Sequence, residues 1–385
     1  MAQDGVAART IEALPLPIEG PAVWYGPAMV NRTEWVHALS ADDVAEIERA
    51  TRPLVDAGAD IARIGKADFA LPTVGPKLAR ICNEVIDGRG FALLRGLPVE
   101  RWSIREAATA YFGIGSHFGN ARSQNAKGHV LGHVRDLGLN ATQDPTARVY
   151  QTNERQTYHT DSCDIVGLLC LKTAKSGGAS ALVSSMTIYN EMRKRRPDLL
   201  ARLFEPLHTD RRGEVPAGQK PWHDIPIYNW YEGRLSALYS RRYIESARRF
   251  PDVPPLIPEQ IEALDLFDAL AEDPTINLQM TFRPGDMQWV HNHTMLHDRT
   301  AFEDWPEPAR KRHLLRLWLA VPGARRLPKV YAERFGKIDI GDRGGIIVPG
   351  GFSTHRSRRS EGASIYDRKR LDPRCPTIAA EASRR

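Results

Sequence analysis

The spacing of hydrophobic and polar positions changes several times along the chain, and each change predicts an element. Apolar residues at intervals of three and four predict amphipathic helices, which span 42–64, 77–86, 104–112 and 258–271. Short apolar or alternating runs predict strands, which span 91–94, 164–171, 181–184, 276–282, 287–291 and 312–319. Shorter β segments begin near His129, and residues 225–239 predict a hairpin around Glu232-Gly233.

This order of elements predicts the fold class. Many short strands of similar length, with helices set outside them, indicate a mixed α/β fold that is mainly β. We expect a double-stranded β-helix, or jelly roll, with flanking helices. A single catalytic domain is expected over residues 1–352, beginning with an N-terminal arm rich in proline and glycine.

Composition and charge argue against a disordered chain and against a nucleic-acid-binding protein. The chain is 42% hydrophobic and 26% charged, so it has enough apolar side chains for a large core. Its net charge of +6 comes mostly from residues 353–385, a predicted basic C-terminal tail with nine Lys/Arg and four Asp/Glu. Because basic ends of this kind are usually solvated, we predict no nucleic-acid partner.

The expected location follows from what the sequence lacks. The longest apolar run, 165–171, is too short to cross a bilayer, so no membrane partner is expected. The first residues show no basic start followed by an apolar stretch, and we expect a cytoplasmic protein. The four cysteines form no CxxC pair, which argues against a disulfide framework or a zinc ribbon.

A His-Thr-Asp tripeptide occurs twice, and it has the spacing of a metal site. Residues i and i+2 of a strand point to the same face, so either copy could offer two ligands. Chance alone gives about 1.5 His-x-Asp/Glu matches in such a chain, so context must decide. His159 and Asp161 precede a buried strand, a Gly-Gly turn and a distant histidine cluster, whereas 208–210 leads into a charged stretch. We therefore interpret the second copy as structural.

Two arginines on one predicted strand suggest a site for a dicarboxylate. Arg312 and Arg316 are four residues apart and lie on the same face of 312–319. A planar guanidinium keeps its charge in a buried pocket and matches the geometry of a carboxylate. Both arginines interrupt an otherwise apolar, aromatic segment, so we expect them to point into the fold.

Several motifs, taken together and in this order, resemble the taurine and 2,4-D dioxygenase family of iron(II)/2-oxoglutarate oxygenases. The likeness extends over about residues 150–320. The motifs are Tyr158-His159-Thr160-Asp161, Gly177-Gly178-Ala179-Ser180, Gly285-Asp286, Leu296-His297-Asp298-Arg299 and Arg312-His313-Leu314-Leu315-Arg316. The resemblance implies Fe(II), 2-oxoglutarate and O₂ as cofactor and co-substrates.

Carried over by position, the resemblance implies that His159, Asp161 and His297 bind the metal and are catalytic. His291 and His293 compete with His297 for the third place. The same likeness implies 2-oxoglutarate binding by three further side chains. Arg316 would bind the distal carboxylate, Arg312 would assist near the metal, and the Ser180 hydroxyl would be an additional partner.

The implied activity is oxidation, most simply hydroxylation, of an unactivated C–H bond with release of succinate and CO₂. The expected substrate is a small polar acid such as an amino acid, a sulfonate or an aryloxyacid. Pocket candidates chosen by position are Arg122, Asn125, Tyr150, Thr152, Arg211, Arg212 and Arg241. The sequence leaves the assembly state open between a monomer and a homo-oligomer.

Three alternatives remain open beside this hypothesis. A zinc-dependent hydrolase could use the same His/Asp/His site, although Arg312 and Arg316 would then have no obvious role. A non-catalytic cupin-like binding protein would keep the barrel of strands but would have lost catalysis. The glycines of 113–119 are spaced somewhat like a dinucleotide-binding loop, but they follow a predicted helix, so a tight turn is the better interpretation.

Overall fold

Helices surround a strand-rich centre in the computed structural model, which describes residues 13–140 and 148–346. The predicted tail, 353–385, lies outside the described residues. The helices are α1 (Gly26–Val30), α2 (Ala41–Asp56), α3 (Val74–Ile86), α4 (Ile104–Ser116), α5 (Ser185–Arg195), α6 (Pro197–Arg202), α7 (Arg241–Ala247), α8 (Pro258–Glu272) and α9 (Ala332–Phe335). None of the helices in the described ranges is long and apolar enough to cross a membrane.

The strands form two main sheets and three short pairs. They are β1 (Val36–Ala38), β2 (Phe91–Arg95), β3 (Asn120–Ala121), β4 (Leu131–Val134), β5 (Gln156–His159), β6 (Ile165–Lys172), β7 (Ser176–Gly177), β8 (Ser180–Ser184), β9 (Leu207–Asp210), β10 (Trp222–Ile225), β11 (Tyr228–Tyr231), β12 (Arg234–Ala237), β13 (Leu278–Met280), β14 (Met287–His291), β15 (Met295–Arg299), β16 (Phe302–Glu303) and β17 (His313–Ala320). The larger sheet has the order β1-β2-β14-β6-β17-β3, with β4 also paired to β17. The smaller sheet has the order β13-β8-β15-β5.

The two sheets face each other across an apolar layer. Inner-face residues of the larger sheet, such as Phe91 and Val166, share one buried cluster with Leu182 and Met295 of the smaller sheet. Alternate residues point the other way, because successive side chains of a strand lie on opposite faces. The predicted mixed, mainly β fold with a jelly-roll core is confirmed, and the sheets do not close into a barrel.

Helices cover the outer face of each sheet. The helices α2, α3 and α4 pack with Ala92 and Trp289 of the larger sheet. The helices α5, α6 and α8 pack with Val183 and Leu296 of the smaller sheet. Burial on both faces explains why these strands are almost continuously apolar in sequence, since each buried aliphatic or aromatic side chain contributes ~1.5–3 kcal/mol.

Several predicted element bounds differ from the observed ones. The helix expected over 42–64 ends at Asp56, and Gly58 follows with φ +62, a conformation that favours glycine. The hairpin expected over 225–239 is shorter, because Ile225 belongs to β10, which pairs with β9. Propensity at the ends of elements is weak, and tertiary pairing decides them.

Packing explains the first two glycines of 113–119, and the expected turn is shorter than predicted, because it covers only residues 117–118 after α4. Gly113 and Gly115 lie inside α4. A Cβ atom on Gly113 would lie 2.4 Å from the ring of Phe69, and one on Gly115 would lie 2.5 Å from Leu317 Cδ1. Only glycine therefore allows α4 to approach its neighbours this closely.

A buried ionic cluster connects the last described segment to the centre of the fold. Arg343 Nε donates to Asp164 Oδ1 at 2.8 Å, and His293 Nε2 lies 2.8 Å from the same oxygen. Asp164 Oδ2 accepts from the Val321 N–H at 2.9 Å. Burial raises the pKa of Asp164, but the His293 hydrogen bond and Arg343 outweigh it, so the pKa is lowered overall. The carboxylate is therefore ionised and fully hydrogen-bonded.

Replacing Arg343 with alanine should destabilise the fold strongly. The substitution leaves the Asp164 carboxylate buried beside fewer donors, which costs about 3–5 kcal/mol. Equilibrium urea unfolding measures the loss. The matched control is Arg326→Ala, because Arg326 is 69% exposed and pairs with Glu232 at the surface. The control should lose less than about 1 kcal/mol, and equal losses in the two variants would contradict this account.

Candidate metal centre and adjoining cavities

Strand pairing brings the three expected metal ligands together. His159 ends β5, and His297 lies directly opposite it on the antiparallel neighbour β15. Their ring centroids are 4.1 Å apart. The Asp161 carboxylate lies 3.8 Å from His159 Nε2 and 3.7 Å from His297 Nε2. One potential ligand atom from each residue therefore falls within 4.8 Å of the other two.

Asp161 reaches this cluster in a different way from the one we expected. The strand ends at His159, so Asp161 lies in the following loop and not two residues along a strand. Two hydrogen bonds hold this loop: Thr160 N–H donates to Tyr239 O at 2.9 Å, and Asp161 N–H donates to Asn292 Oδ1 at 2.8 Å. The amide of Asn292, between two histidines in the sequence, thus fixes the backbone of the carboxylate ligand.

The protonation of the cluster suits a metal ion. Burial lowers the pKa of His297 to about 3, so its ring is neutral at neutral pH. His159 Nδ1 lies 2.8 Å from Thr157 O, and a proton on that nitrogen leaves a lone pair on Nε2. That lone pair accepts from Gln156 Nε2 at 2.8 Å here, and a metal ion would take the place of this hydrogen bond. Burial raises the pKa of Asp161, but Arg316 and the two imidazoles lower it overall.

Two neutral imidazoles and one carboxylate are the donor set that suits Fe(II) with positions left open for other ligands. The residues present therefore fit the metal that the sequence implies. Trp318 supports the arrangement, because its Nε1–H donates to Asp161 Oδ2 at 2.8 Å, while Oδ1 accepts no hydrogen bond from residues 13–140 and 148–346.

The competing histidines are engaged elsewhere. His291 Nδ1 lies 2.9 Å from Thr294 Oγ1, and His293 bonds to Asp164 in the ionic cluster described above. The second His-Thr-Asp copy is also structural: His208 hydrogen-bonds to Asp224, and Asp210 accepts from Ser246 Oγ at 2.7 Å. In the described ranges, only the cluster of His159, Asp161 and His297 meets the spacing of a metal site.

Arg316 lies beside the metal cluster. Its Nη1 is 3.8 Å from Asp161 Oδ2, and its Nε donates to Gln124 Oε1 at 2.7 Å. The guanidinium stacks over the rings of Tyr150 and Trp318, with its carbon 4.6 Å and 4.9 Å from their centroids. Arg316 is therefore held rigidly next to the carboxylate ligand.

Arg312 is also buried, and its guanidinium is not fully hydrogen-bonded. It lines an inner cavity of about 40 Å³ together with Ser180, His297 and Arg316. Its Nη1 is buried without a hydrogen bond, and no carboxylate lies within 4.0 Å of its guanidinium among residues 13–140 and 148–346. Burial lowers the pKa of Arg312 to about 10. A buried cation of this kind is costly unless an anion joins it.

A second, larger cavity adjoins the metal cluster and shares His159 and Arg316 with the inner cavity. It has a volume of about 270 Å³, and His159, Asp161 and Arg316 line it. Tyr150 and Arg241 are the two pocket candidates from the sequence that also line it. The other five candidates contact neighbouring residues. Arg122 pairs with Asp342, Arg211 donates to the Trp222 carbonyl, and Asn125 bonds to His129. Thr152 Oγ1 donates to Val149 O, and the Arg212 guanidinium lies over the Tyr243 ring.

Comparisons with known proteins agree with this site. The profile of the Taurine catabolism dioxygenase TauD, TfdA family matches residues 50–318. The chain belongs to this family. The curated FR-33289 synthase of Streptomyces rubellomurinus (strain ATCC 31215) is 32% identical over 326 residues, which cover 83% of this chain and 94% of that protein.

Two further relatives extend the comparison. Taurine hydroxylase-like protein SAT17 of Stachybotrys chartarum (strain CBS 109288 / IBT 7711) is 32% identical over 303 residues, covering 76% of this chain and 77% of that protein. The solved structure of asparagine oxygenase with Fe(II), 2S,3S-3-hydroxyasparagine and succinate aligns with a TM-score of 0.58. That alignment covers 74% of this chain and 93% of the other at 16% identity, and it shows the shared fold.

Membership of this family makes the chain an oxygenase that depends on Fe(II), 2-oxoglutarate and O₂. It favours neither the zinc hydrolase nor the non-catalytic binding protein that the sequence left open.

Replacing Asn292 with alanine should weaken iron binding more than it weakens the fold. The Asp161 loop loses the hydrogen bond that fixes it, and changes of this kind lower metal affinity about 10–100-fold. Anaerobic Fe(II) titration measures the affinity. Asn277→Ala is the control, because Asn277 is equally buried but donates to Ala271 O. Unchanged iron affinity in Asn292→Ala would show that the loop holds its position without this amide.

The metal-free protein should lose stability as the pH falls, in part through His293. Burial lowers the folded-state pKa of His293 from 6.5 to about 4. Between these values the unfolded state binds a proton that the folded state does not, which costs up to about 1.4 kcal/mol per pH unit. Urea unfolding at several pH values should therefore show a shallower dependence for His293→Gln than for the wild type. Identical slopes would contradict the assignment.

Proposed function

We propose that this oxygenase hydroxylates a small polar acid, with His159, Asp161 and His297 holding the iron. The observation that carries the proposal is that these side chains line two adjoining cavities. The inner cavity contains the buried charge of Arg312, and the outer cavity is large enough for a substrate. One ion bound by the three ligands would face both.

We propose that Arg312 binds the distal carboxylate of 2-oxoglutarate, with the Ser180 hydroxyl beside it. Arg316 would then steady the carboxylate at the metal end, because it lies 3.8 Å from Asp161. This division is the reverse of the one that the family resemblance implied. The support for it is that Arg312 has no carboxylate within 4.0 Å among residues 13–140 and 148–346, whereas Arg316 already has Asp161 and Gln124 as partners.

The iron, when bound with 2-oxoglutarate, supplies the activation of O₂ that oxidises a C–H bond. The protein contributes positioning and a dry environment. Arg312 and Arg316 orient the co-substrate, and Trp318 holds the carboxylate ligand through its indole N–H. The stacked rings of Tyr150 and Trp318 cover the Arg316 guanidinium and restrict water around it.

The names of two relatives support an acidic or amino-acid-like substrate. One is a taurine hydroxylase-like protein, and the other is an asparagine oxygenase solved with a hydroxylated product and succinate. Six arginines line the outer cavity of this chain. One of them, Arg334, has no carboxylate within 4.0 Å among the described residues, which favours an anionic molecule. Hydroxylation with release of succinate and CO₂ is the reaction that these features support best.

Location and domain organisation remain predictions. The three cysteines in the described ranges, Cys82, Cys163 and Cys170, are buried free thiols, which is typical of a reducing compartment and supports a cytoplasmic enzyme. We keep residues 1–352 as the proposed catalytic domain. The absence of a nucleic-acid partner also stays a prediction.

Exchanging each arginine for glutamine tests the division of roles. Arg312→Gln should raise the half-saturating concentration of 2-oxoglutarate at least about 30-fold, because a buried charge pair is lost. It should leave 2-oxopentanoate, which has a methyl group in place of the distal carboxylate, nearly unaffected. Anaerobic titration of the weak visible absorption band of the Fe(II) complex measures both ligands.

Arg316→Gln is the matched comparison. It should weaken 2-oxoglutarate and 2-oxopentanoate to a similar extent, since both carry the metal-proximal carboxylate. If Arg316→Gln removes the preference for 2-oxoglutarate and Arg312→Gln does not, the proposed roles are wrong. If the wild type gives no band with iron and 2-oxoglutarate, the proposed metal site itself is wrong.

A further inference from the structure

Six arginines and three acidic residues line the outer cavity. Carboxylates outside the lining also pair with several of these arginines, so the lining alone overstates the positive charge. Fe(II) and the dianion of 2-oxoglutarate have equal and opposite charges, so they leave this balance unchanged when both are bound. An arginine without a carboxylate partner would therefore favour an anionic substrate.

Most of these arginines already have carboxylate partners. Arg148 Nη2 lies 2.5 Å from Glu214, Arg155 lies 3.0 Å from Asp298, and Arg241 lies 2.8 Å from Asp265. Arg242 lies 3.8 Å from Glu154. These four side chains shape the wall of the cavity, but their charges are balanced locally.

Arg334 is different. It lies on the short helix α9, and its Nε donates to Ser162 Oγ at 2.8 Å. No carboxylate of residues 13–140 or 148–346 lies within 4.0 Å of its guanidinium, whose terminal nitrogens have no hydrogen bond there. Burial lowers the pKa of Arg334; the Glu214 carboxylate opposes this shift from a distance, and the nearby positive charge of Arg148 adds to it. The guanidinium thus faces the cavity as an unpaired cation.

Hydroxyl groups with free protons surround this cation. The cavity continues into a recess of about 40 Å³ at Arg334, and Ser162, Ser240 and Tyr243 line both spaces. Ser162 Oγ accepts from Arg334, and Tyr243 Oη accepts from Arg148 Nη1 at 2.9 Å. Each hydroxyl can therefore donate its own proton to an anion.

The donors come from three separate parts of the chain. Ser162 belongs to the metal-ligand loop, Ser240 and Tyr243 lie at the start of α7, and Arg334 lies on α9. A planar carboxylate offers two acceptor oxygens in one plane. A tetrahedral group offers three oxygens in different directions, and the second negative charge of a phosphoryl group strengthens its hydrogen bonds to a guanidinium.

We propose that Arg334, with the Ser162 and Tyr243 hydroxyls, binds a doubly charged phosphoryl group of the substrate, as a phosphate ester or a phosphonate. Ser162 directly follows the metal ligand Asp161, so a group held there anchors the substrate beside the metal. The inference rests on the proposed function and deepens it, because it names the class of acid and the residue that selects it.

Calorimetric titration with small probes tests the proposal. The protein is first loaded anaerobically with Fe(II) and saturating 2-oxoglutarate, which occupies the other arginines. Methylphosphonate, methyl phosphate, methanesulfonate and acetate are then titrated at pH 8. Methylphosphonate or methyl phosphate should bind at least about tenfold more tightly than the singly charged probes. Comparing the two phosphoryl probes distinguishes a phosphonate from an ester.

Variants of Arg334 assign the binding to this residue. Arg334→Gln should lose at least about tenfold in phosphoryl affinity. Arg334→Lys keeps the charge with fewer donors, so it should retain part of the binding and serves if the glutamine variant does not fold. Arg326→Gln removes the same charge from an exposed position that pairs with Glu232, so it should bind like the wild type.

The absorption band of the protein loaded with Fe(II) and 2-oxoglutarate distinguishes failure of this inference from failure of the proposed function. Arg334→Gln should still form the band, because Arg334 is not a partner of the metal or the co-substrate. A wild type that forms the band but binds acetate as tightly as methylphosphonate overturns this inference alone. Equal phosphoryl affinity in the wild type and Arg334→Gln also overturns it. A wild type without the band refutes the proposed function instead.

Discussion

The pairing of β5 with β15 is the interaction on which the site depends. These strands are far apart in sequence, yet their antiparallel register places His159 opposite His297. A shift of one residue would turn His297 to the other face of the sheet. The register is protected because β15 is buried on both sides, between the inner apolar layer and the helices α5, α6 and α8.

A second constraint is the balance of charge around this pair of strands. The fold buries Asp164 with Arg343 and His293, and that cluster needs no ligand. Near the metal cluster the balance is different, since Arg312 and Arg334 face cavities without a carboxylate within 4.0 Å in the described parts of the chain. An unpaired buried cation reduces the stability of the fold. An anion that binds beside it during function would offset this cost.

The sequence allowed much of this arrangement to be predicted, for reasons of local chemistry. The strands, the outer helices and the clustering of His159, Asp161 and His297 follow from apolar spacing and from motifs whose order resembles a known family. Other features depend on contacts between distant residues. The position of Asp161 beyond its strand, the amide of Asn292 and the unpaired charge of Arg334 could not be read from spacing. The Arg312 and Arg316 roles also required coordinates, because both residues share one strand face.

The most direct test of the central claim is a crystal structure of the protein grown anaerobically with Fe(II) and 2-oxoglutarate. The account predicts iron bound by His159 Nε2, Asp161 and His297 Nε2, with the distal carboxylate of 2-oxoglutarate against Arg312 and Ser180. Iron at another site, or a distal carboxylate held by Arg316 while Arg312 stays unpaired, would contradict it.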